Sequence, residues 1–272
     1  MISDAQRLEW QWEGFWRAPN LGAPLWDSIK NFHPPEKREY SWVGDLGNIP
    51  LGKRAEKFFE SGIKSADQYK LIAKNIQIIQ SGITMGEIDF VLFDRERDSY
   101  VHVELAFKLY LLDPDSGKGL DRWIGPNRRD RLVDKLHKLK TQQFPKLFDS
   151  IIAEIFSEKS INTSEVEQRL YLPGQLFVPH GSNVQISTLN PDAVAGVYMG
   201  FSDFKLLAAE VKCWIPEKQD WFIDPSRWPT WISGSDAISQ VKEKLSRSRS
   251  PMVWIKDRDR NYSRCFVVFW KA

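Results

Sequence analysis

The chain has 272 residues and balances 38 lysines and arginines against 36 aspartates and glutamates, which leaves a formal net charge of +2. This length is enough for one large domain or two small ones around a sizeable core. The near-neutral charge excludes a global electrostatic attraction for nucleic acid, so any such affinity must come from local basic patches. The two cysteines, Cys213 and Cys265, are far apart, which argues against a disulfide scaffold or a zinc site.

The N-terminal residues lack the pattern of an export signal, because residues 1–4 include an acidic residue and the aromatic run after them is interrupted by charges. No apolar stretch approaches the ~20 residues that a membrane-spanning helix needs. Together with the sparse cysteines, these features predict a cytoplasmic protein that has no membrane partner.

The first segment of the chain, residues 1–45, is rich in tryptophan. Residues 4–20 predict a short helix that ends at a proline, with Trp12 and Trp16 on one face because they lie four positions apart. Such an aromatic face either stacks on nucleic-acid bases or packs on a protein core. Packing on the core is the interpretation that the pattern favours.

A second helix is predicted to begin after Pro50. Its apolar residues recur at helical spacing over residues 51–60, and Glu56 lies beside this stripe, where it can face the edge of a neighbouring sheet. The alternating residues 75–80 then predict a strand that leads into a turn.

Two segments of alternating hydrophobicity, residues 86–92 and 100–108, predict a hairpin of two half-buried strands. The apolar residues fall on one face, and the other face carries the following polar side chains: Glu87, Asp89, His102, Glu104 and Lys108. If the strands pair with their acidic faces level, Asp89 and Glu104 become neighbours.

Two adjacent carboxylates repel each other unless a cation lies between them. Hard oxygen ligands on neighbouring strands suit Mg²⁺ or Mn²⁺, and such an ion can activate water and stabilise a phosphoryl transition state. The alternative is an ordinary hairpin with a solvated acidic face. His102 is then a surface histidine, whereas beside a metal site it would support Glu104.

A basic helix is predicted over residues 127–143, with Asn127 as its N-cap. Basic residues follow one another along it at spacings of three and four positions: Arg128, Arg131, Lys135 and Lys138. This stripe indicates either contact with nucleic-acid phosphates or a solvated helix face.

The C-terminal region, residues 214–272, combines tryptophans and prolines with a predicted helix at 235–246 and a predicted hairpin over 252–270. Its tryptophans, if exposed, would indicate a surface for a protein partner.

The predicted order of helix, strand, strand, strand, helix and strand, with Glu56, Asp89 and Glu104 upon it, resembles the PD-(D/E)XK nuclease fold. The segments at 84–90, at 102–108 and at 124–135 also resemble a bacterial domain-of-unknown-function family, number 1853, that is usually placed in this superfamily. The resemblance is strongest over residues 50–145.

This resemblance implies an α/β fold with a restriction-endonuclease-like core, in which helices flank a central mixed sheet. We expect this core at residues 46–180, with the tryptophan-rich residues 1–45 packed on it. Residues 181–272 are expected to form an α+β extension that also packs on the core.

The resemblance also implies a metal-dependent phosphodiesterase that acts on DNA or RNA. Asp89 and Glu104 would hold Mg²⁺ or Mn²⁺, Glu56 would assist from the preceding helix, and a lysine would orient or deprotonate the attacking water.

The lysine is the point at which the sequence departs from the superfamily pattern. Ala106 occupies the expected position, two residues after Glu104. Lys108 shares the face but lies ~13 Å further along an extended strand, so it would have to lean back. Lys135 of the basic helix is the other candidate. Loss of catalysis would produce the same sequence, so the alternative is an inactive nuclease-fold module that binds nucleic acid or a protein partner.

A second match to the superfamily motif occurs at Asp192, Glu210 and Lys212. With 27% charged residues in the chain, such a loose pattern arises easily by chance. The motif requires a strand, whereas residues 206–212 have as much helical as strand propensity. The hairpin is therefore the favoured site.

Overall fold

The computed structural model describes residues 2–24, 26, 28–41 and 45–271, which form six α-helices and twelve strands. The helices are α1 Asp4–Arg17, α2 Leu51–Ser65, α3 Leu132–Lys138, α4 Ser150–Ser157, α5 Phe201–Ala208 and α6 Gly234–Ser246. The strands are β1 Ile29–Asn31, β2 Tyr69–Gln80, β3 Ile83–Asp94, β4 Ser99–Leu105, β5 Lys108–Leu112, β6 Trp123–Ile124, β7 Glu167–Tyr171, β8 Gly174–Pro179, β9 Val194–Met199, β10 Lys212–Trp214, β11 Met252–Lys256 and β12 Tyr262–Val267.

The first sheet has five strands in the order β1-β7-β4-β3-β2. Strands β2, β3 and β4 are antiparallel neighbours, whereas β7 lies parallel to both β4 and β1. On one face Phe59 of α2 packs on Phe90 of β3, with ring centroids 4.7 Å apart. On the other face Leu147 and Ile152 pack on Val91. The expected mixed sheet flanked by helices is therefore confirmed.

The second sheet has seven strands in the order β10-β11-β12-β9-β8-β5-β6. It takes β5, β6 and β8 from the predicted core and the other four strands from beyond residue 180, so the predicted core and C-terminal extension share one sheet.

The two sheets are connected at two places, where neighbouring parallel strands of the first sheet continue into neighbouring parallel strands of the second. The chain runs from β4 into β5 and from β7 into β8 with two intervening residues in each case. Gly174 begins β8 where β5 approaches closely, because a Cβ at this position would stand 2.3 Å from the carbonyl oxygen of Lys108. Glycine therefore allows the two strands to pair directly after the crossing.

Helix α1 packs its aromatic face on this core, as the spacing of its tryptophans predicts. Trp12 and Trp16 are both buried, and Trp16 stacks on Phe59 and Tyr171. Every tryptophan in the described part of the chain is buried or half-buried. The described tryptophans therefore give no support to a protein-binding surface built on exposed indole rings, and Trp42 lies outside the described residues.

The helix predicted over 127–143 is shorter and less regular than its pattern indicates. Only α3 is α-helical, and the chain continues as a π-helical turn, Leu139–Gln143, and a 3-10 turn, Phe144–Phe148. Arg128 has a φ of 56°, which is incompatible with a right-handed helix. Asn127 is not an N-cap, because its Oδ1 accepts from the backbone N–H of Ser250 at 2.8 Å.

None of the helices described here combines the length and the hydrophobicity that crossing a membrane requires.

The strand crossing at Gly174 can be tested by substitution. We expect Gly174→Ala to destabilise the protein by about 1–3 kcal/mol, because the added methyl must displace the carbonyl of Lys108. Gly52→Ala is the matched control, since a Cβ there meets open space within the first turn of α2. The control should be stabilising by about 0.5–1 kcal/mol. Urea denaturation of both variants measures the difference, and equal stabilities would contradict the close approach.

Candidate active site

The register of β3 against β4 places Asp89 and Glu104 opposite each other. The strands pair antiparallel with Phe90 opposite Val103. Continuing this register by one residue sets Asp89 against Glu104. Regular pairing stops here, and the backbone N–H of Leu105 donates to Asp89 Oδ2 at 3.0 Å. The prediction that the two carboxylates are neighbours is therefore confirmed.

Glu104 is buried, so the acidic face is not solvated at this residue, whereas Glu87 and Asp89 on the same face are half-buried. The side chain of Glu104 has no exposed surface, because the chain that follows α3 covers this face of the sheet. His102 Nε2 lies 2.9 Å from Oε1, and Gln143 Nε2 donates to Oε2 at 2.8 Å. Both carboxylate oxygens of Glu104 therefore have a polar partner.

His102 is also fully buried, so the expectation of a surface histidine is wrong. Gln168 Nε2 donates to the carbonyl oxygen of Phe144 at 2.7 Å and lies 3.3 Å from His102 Nδ1. Because an amide nitrogen is a donor only, Nδ1 accepts and the N–H is on Nε2, facing Glu104. His102 thereby fixes the orientation of Glu104.

Burial raises the pKa of Asp89 to about 7, and the negative charges of Glu104 and Glu56 add to this effect. The N–H of Leu105 and the ammonium of Lys135 act in the opposite direction. Lys135 thus offsets only part of the repulsion between the two carboxylates.

Lys135 is the lysine that the structure places beside the carboxylates. Its pKa is lowered by burial, while Glu104 and Asp89 act to raise it. Its Nζ donates to Gln143 Oε1 at 2.8 Å, and the amide of Gln143 in turn donates to Glu104. One glutamine therefore connects the lysine with the buried carboxylate.

Sequence reasoning missed Gln143 because of the π-helical turn. In a regular α-helix the residue seven positions after Lys135, Gln142, returns to the same face. The turn Leu139–Gln143 adds one residue to the helical repeat, so Gln143 takes that direction. Gln168 and the buried partnership of His102 were missed because they depend on long-range packing.

Lys108 and Glu56 have their own partners. Lys108 Nζ lies 2.7 Å from Asp130 Oδ2 and not against the carboxylate pair. Glu56 lies 2.8 Å from Lys53 Nζ, and it influences Asp89 through its charge. The structure thus joins Asp89, Glu104 and Lys135, with Glu56 nearby and Lys108 paired with Asp130 instead.

A groove of about 720 Å³ adjoins this cluster between the first turn of α2, the crossing from β4 to β5, and α3. Leu105 and Lys135 line it, and these residues connect it to Asp89 and Glu104. The basic residues that line it are Lys108, Arg129, Arg131, Lys135, Lys138 and Lys218. The acidic residues that line it are Glu56, Asp130 and Asp134.

The predicted basic stripe does not form one continuous face, because Arg128 and Arg131 precede α3. Arg128 does not line the groove. It pairs with Asp113 at 2.9 Å and covers the ring of Trp270 at 4.8 Å. Arg131 lies 2.6 Å from Asp121, while Lys138 is exposed on α3. Three residues of the predicted stripe, Arg131, Lys135 and Lys138, contribute positive charge to the groove. The other basic lining residues, Lys108, Arg129 and Lys218, were not part of the stripe.

The second motif match is not assembled into a site. Asp192 lies in a 3-10 turn, Pro191–Ala193, and Glu210 in an exposed turn after α5, where it pairs with Arg258. Within the described residues, no group of three His, Cys, Asp or Glu side chains is placed to hold a metal ion. Asp89 and Glu104 are thus a pair of carboxylates that no third such side chain of the described residues completes.

A family model described as Domain of unknown function (DUF1853) matches residues 3–268. The match covers nearly the whole chain, and it therefore includes the strands of both sheets. No curated protein and no solved structure matches the chain.

The raised pKa of Asp89 predicts how stability depends on pH. An aspartate with a higher pKa in the folded state contributes its full stability below pH ~4 and loses it as the pH rises through 7. Asp89→Asn keeps an acceptor for Leu105 and removes this loss. We expect the variant to gain on the order of 1–3 kcal/mol relative to wild type between pH 4 and pH 8 without metal.

Denaturation at several pH values measures this difference. Asp98→Asn is the control, because Asp98 is exposed in the turn between β3 and β4 at a φ of 50°, which asparagine tolerates. A constant difference between Asp89→Asn and wild type from pH 4 to pH 8 would contradict the raised pKa of Asp89.

Proposed function

We propose, from the premise that the chain belongs to the DUF1853 family, that it is a divalent-metal-dependent nuclease that hydrolyses phosphodiester bonds of DNA or RNA. The observation that carries the proposal is the pair formed by the buried Glu104 and the half-buried Asp89, with Lys135 beside it. The pair adjoins a groove with six basic lining residues, a surface suited to a polyanionic backbone.

The topology of the first sheet supports a PD-(D/E)XK-like core. Helix α2 precedes three antiparallel strands, and β7 returns parallel to the third of them after α3. This is the order that the resemblance implies. Asp89 lies on the second of these strands and Glu104 near the end of the third.

The two carboxylates fit a Mg²⁺ or Mn²⁺ ion. Magnesium is commonly bound through one or two carboxylates, with water and substrate phosphate oxygens as its other ligands. Burial and the negative charges of Glu104 and Glu56 raise the pKa of Asp89, and this cost of its ionised form is the electrostatic condition that favours a cation at this position. When bound, the ion would activate water and stabilise the charge of the phosphoryl transition state.

Lys135 takes the role that the superfamily pattern gives to the position of Ala106. Its lowered pKa brings the ammonium closer to the range in which a lysine exchanges a proton with water. Gln143 holds it next to Glu104, and His102 holds Glu104 from the other side. Lys135 therefore orients or deprotonates the attacking water. Lys108, which is paired with Asp130 and lines the groove, contributes to substrate binding.

Cleavage of DNA and RNA substrates with Mg²⁺ or Mn²⁺ tests these roles. We expect Asp89→Asn to abolish cleavage and Lys135→Ala to slow it by about 10²–10⁴-fold, the range for a lost proton-transfer group. Lys108→Ala should affect substrate binding more than turnover.

Lys140→Ala is the matched control, since Lys140 is exposed on the same segment and lies over Trp26, outside the groove. Metal-dependent cleavage that survives Asp89→Asn would refute the proposal. Cleavage that survives Lys135→Ala but not Lys108→Ala would transfer the role to Lys108.

A catalytically inactive module is the second candidate, and the alanine at position 106 together with the two-carboxylate site favours it. Calorimetry with Mg²⁺ and Mn²⁺ separates the two candidates when it is combined with cleavage assays. A nuclease should bind the ion, and Asp89→Asn but not Asp98→Asn should remove that binding. Salt-sensitive nucleic-acid binding without turnover in either metal would establish the inactive module.

A further inference from the structure

A second cavity, of about 730 Å³, adjoins the groove at the first turn of α2. Both are lined by Pro50, Leu51 and Lys218. The second cavity also contains Arg7 of α1 and Arg54 of α2. It therefore opens beside the proposed active site, but it is lined by a different set of charged residues.

Arg54 is a buried guanidinium whose hydrogen-bond partners are all uncharged. Only 2% of its surface is exposed. Its Nη1 donates to Gln11 Oε1 at 2.9 Å, and its Nη2 donates to Gln219 Oε1 at 3.1 Å and to the carbonyl oxygen of Gly47. Within the described residues its Nε has no partner. A buried charge without a hydrogen-bonded counter-charge is costly, so this arrangement favours an anion.

The first turn of α2 independently favours an anion at the same place. Pro50, the N-cap, makes no side-chain bond to the helix, and the first turn contains no acidic residue. The N-terminal N–H groups of a helix and its dipole attract negative charge. Lys53 and Arg54 lie at this end instead, and their positive charge is unfavourable next to a helix N-terminus.

Three of the other charged residues of the cavity, Arg7, Asp45 and Glu217, have partners of their own. Arg7 pairs with the buried Asp220, which also accepts from Gln11 at 2.8 Å. Asp45 Oδ1 accepts from the backbone N–H of Gly47 at 2.9 Å, and Glu217 lies 3.9 Å from Lys244. Asp4 lies in the first turn of α1.

These carboxylates limit the negative charge that the cavity accepts. No carboxylate among the described residues hydrogen-bonds to Arg54, although Asp45 and Asp220 lie near enough to act on it. A ligand with one phosphate group suits this balance better than a polyphosphate does.

We propose that Arg54, Lys218 and the first turn of α2 form a binding site for a single phosphate group. The site itself stands on these residues, and only the assignment of its source rests on the proposed function. Because the cavity and the groove share Pro50, Leu51 and Lys218 as lining residues, the source that the geometry favours is the terminal phosphate of a nucleic-acid strand. Glu56 follows Leu51 by about 8 Å along the helix, so this end would lie close to the carboxylates.

Equilibrium binding without metal tests the site. The probes are inorganic phosphate and one fluorescent single strand prepared with a 5′-phosphate, with a 3′-phosphate or with hydroxyl groups at both ends. We expect wild type to bind one phosphorylated strand about tenfold more tightly than the hydroxyl strand, and inorganic phosphate to compete. Binding of inorganic phosphate with no preference among the strands would support the site and assign it to free phosphate.

Arg54→Met should abolish the preference, and circular dichroism reports whether this variant folds. Gly52→Asp is a second variant that does not depend on removing a buried residue, since a side chain at Gly52 meets open space. Its carboxylate would occupy the anion-favouring first turn, so it should raise Tm and reduce the preference to below twofold. The isosteric Gly52→Asn should keep the preference.

Equal affinity of wild type for all three strands, with no binding of inorganic phosphate, would overturn the proposal. Retention of the preference in folded Arg54→Met would also overturn it. Asp89→Asn separates this inference from the proposed nuclease activity, because it should lose metal-dependent cleavage and keep phosphate binding. If wild type shows phosphate binding but no cleavage, the proposed function fails and the phosphate site stands.

Discussion

Two carboxylates that face each other across β3 and β4 set the electrostatic condition that the surrounding structure has to meet. The strand register holds Asp89 against Glu104, and a slip of either strand by one residue would turn the apolar face of that strand away from the core. Repulsion therefore cannot separate the acids, and hydrogen-bond donors compensate them instead. The backbone N–H of Leu105 donates to Asp89, while His102 and Gln143 donate to Glu104. The raised pKa of Asp89 shows that this compensation is incomplete.

The segment after α3 determines how the remaining charge is distributed. Its π-helical turn directs Gln143 between Lys135 and Glu104, and the following 3-10 turn brings the carbonyl of Phe144 to Gln168, which lies behind His102. Strands β4 and β7 are parallel neighbours with His102 opposite Gln168, so the polar chain behind Glu104 follows directly from sheet pairing. The site is thus supported both by the sheet and by the segment that covers it.

The sequence predicted the parts of this arrangement that depend on local periodicity. Alternation identified the two strands and their acidic face, and helical spacing identified the aromatic face of α1. Burial of His102 and Glu104 on that face was not predictable, because it depends on a segment that follows 35 or more positions after Glu104. The regular helical repeat pointed to Gln142, whereas one extra residue in a turn brings Gln143 into position. The helix predicted over residues 127–143, with its basic stripe, was too long for a similarly local reason, because Arg128 has a positive φ. The C-terminal strands joined the sheet through pairing that single-strand patterns do not specify.

Helix α2 relates the carboxylate pair to the cavity beside it. Arg54 and Glu56 are two positions apart, so their side chains diverge by about 200° around the helix axis. Glu56 lines the groove and acts on Asp89, whereas Arg54 lines the second cavity, and the two spaces are both bordered by the first turn of the helix. One side of α2 therefore adds negative charge where a cation is favoured, and the other side presents positive charge where an anion is favoured. The proposed phosphodiester substrate and metal ion would need these two preferences at close range, and the short spacing along one helix fixes their separation.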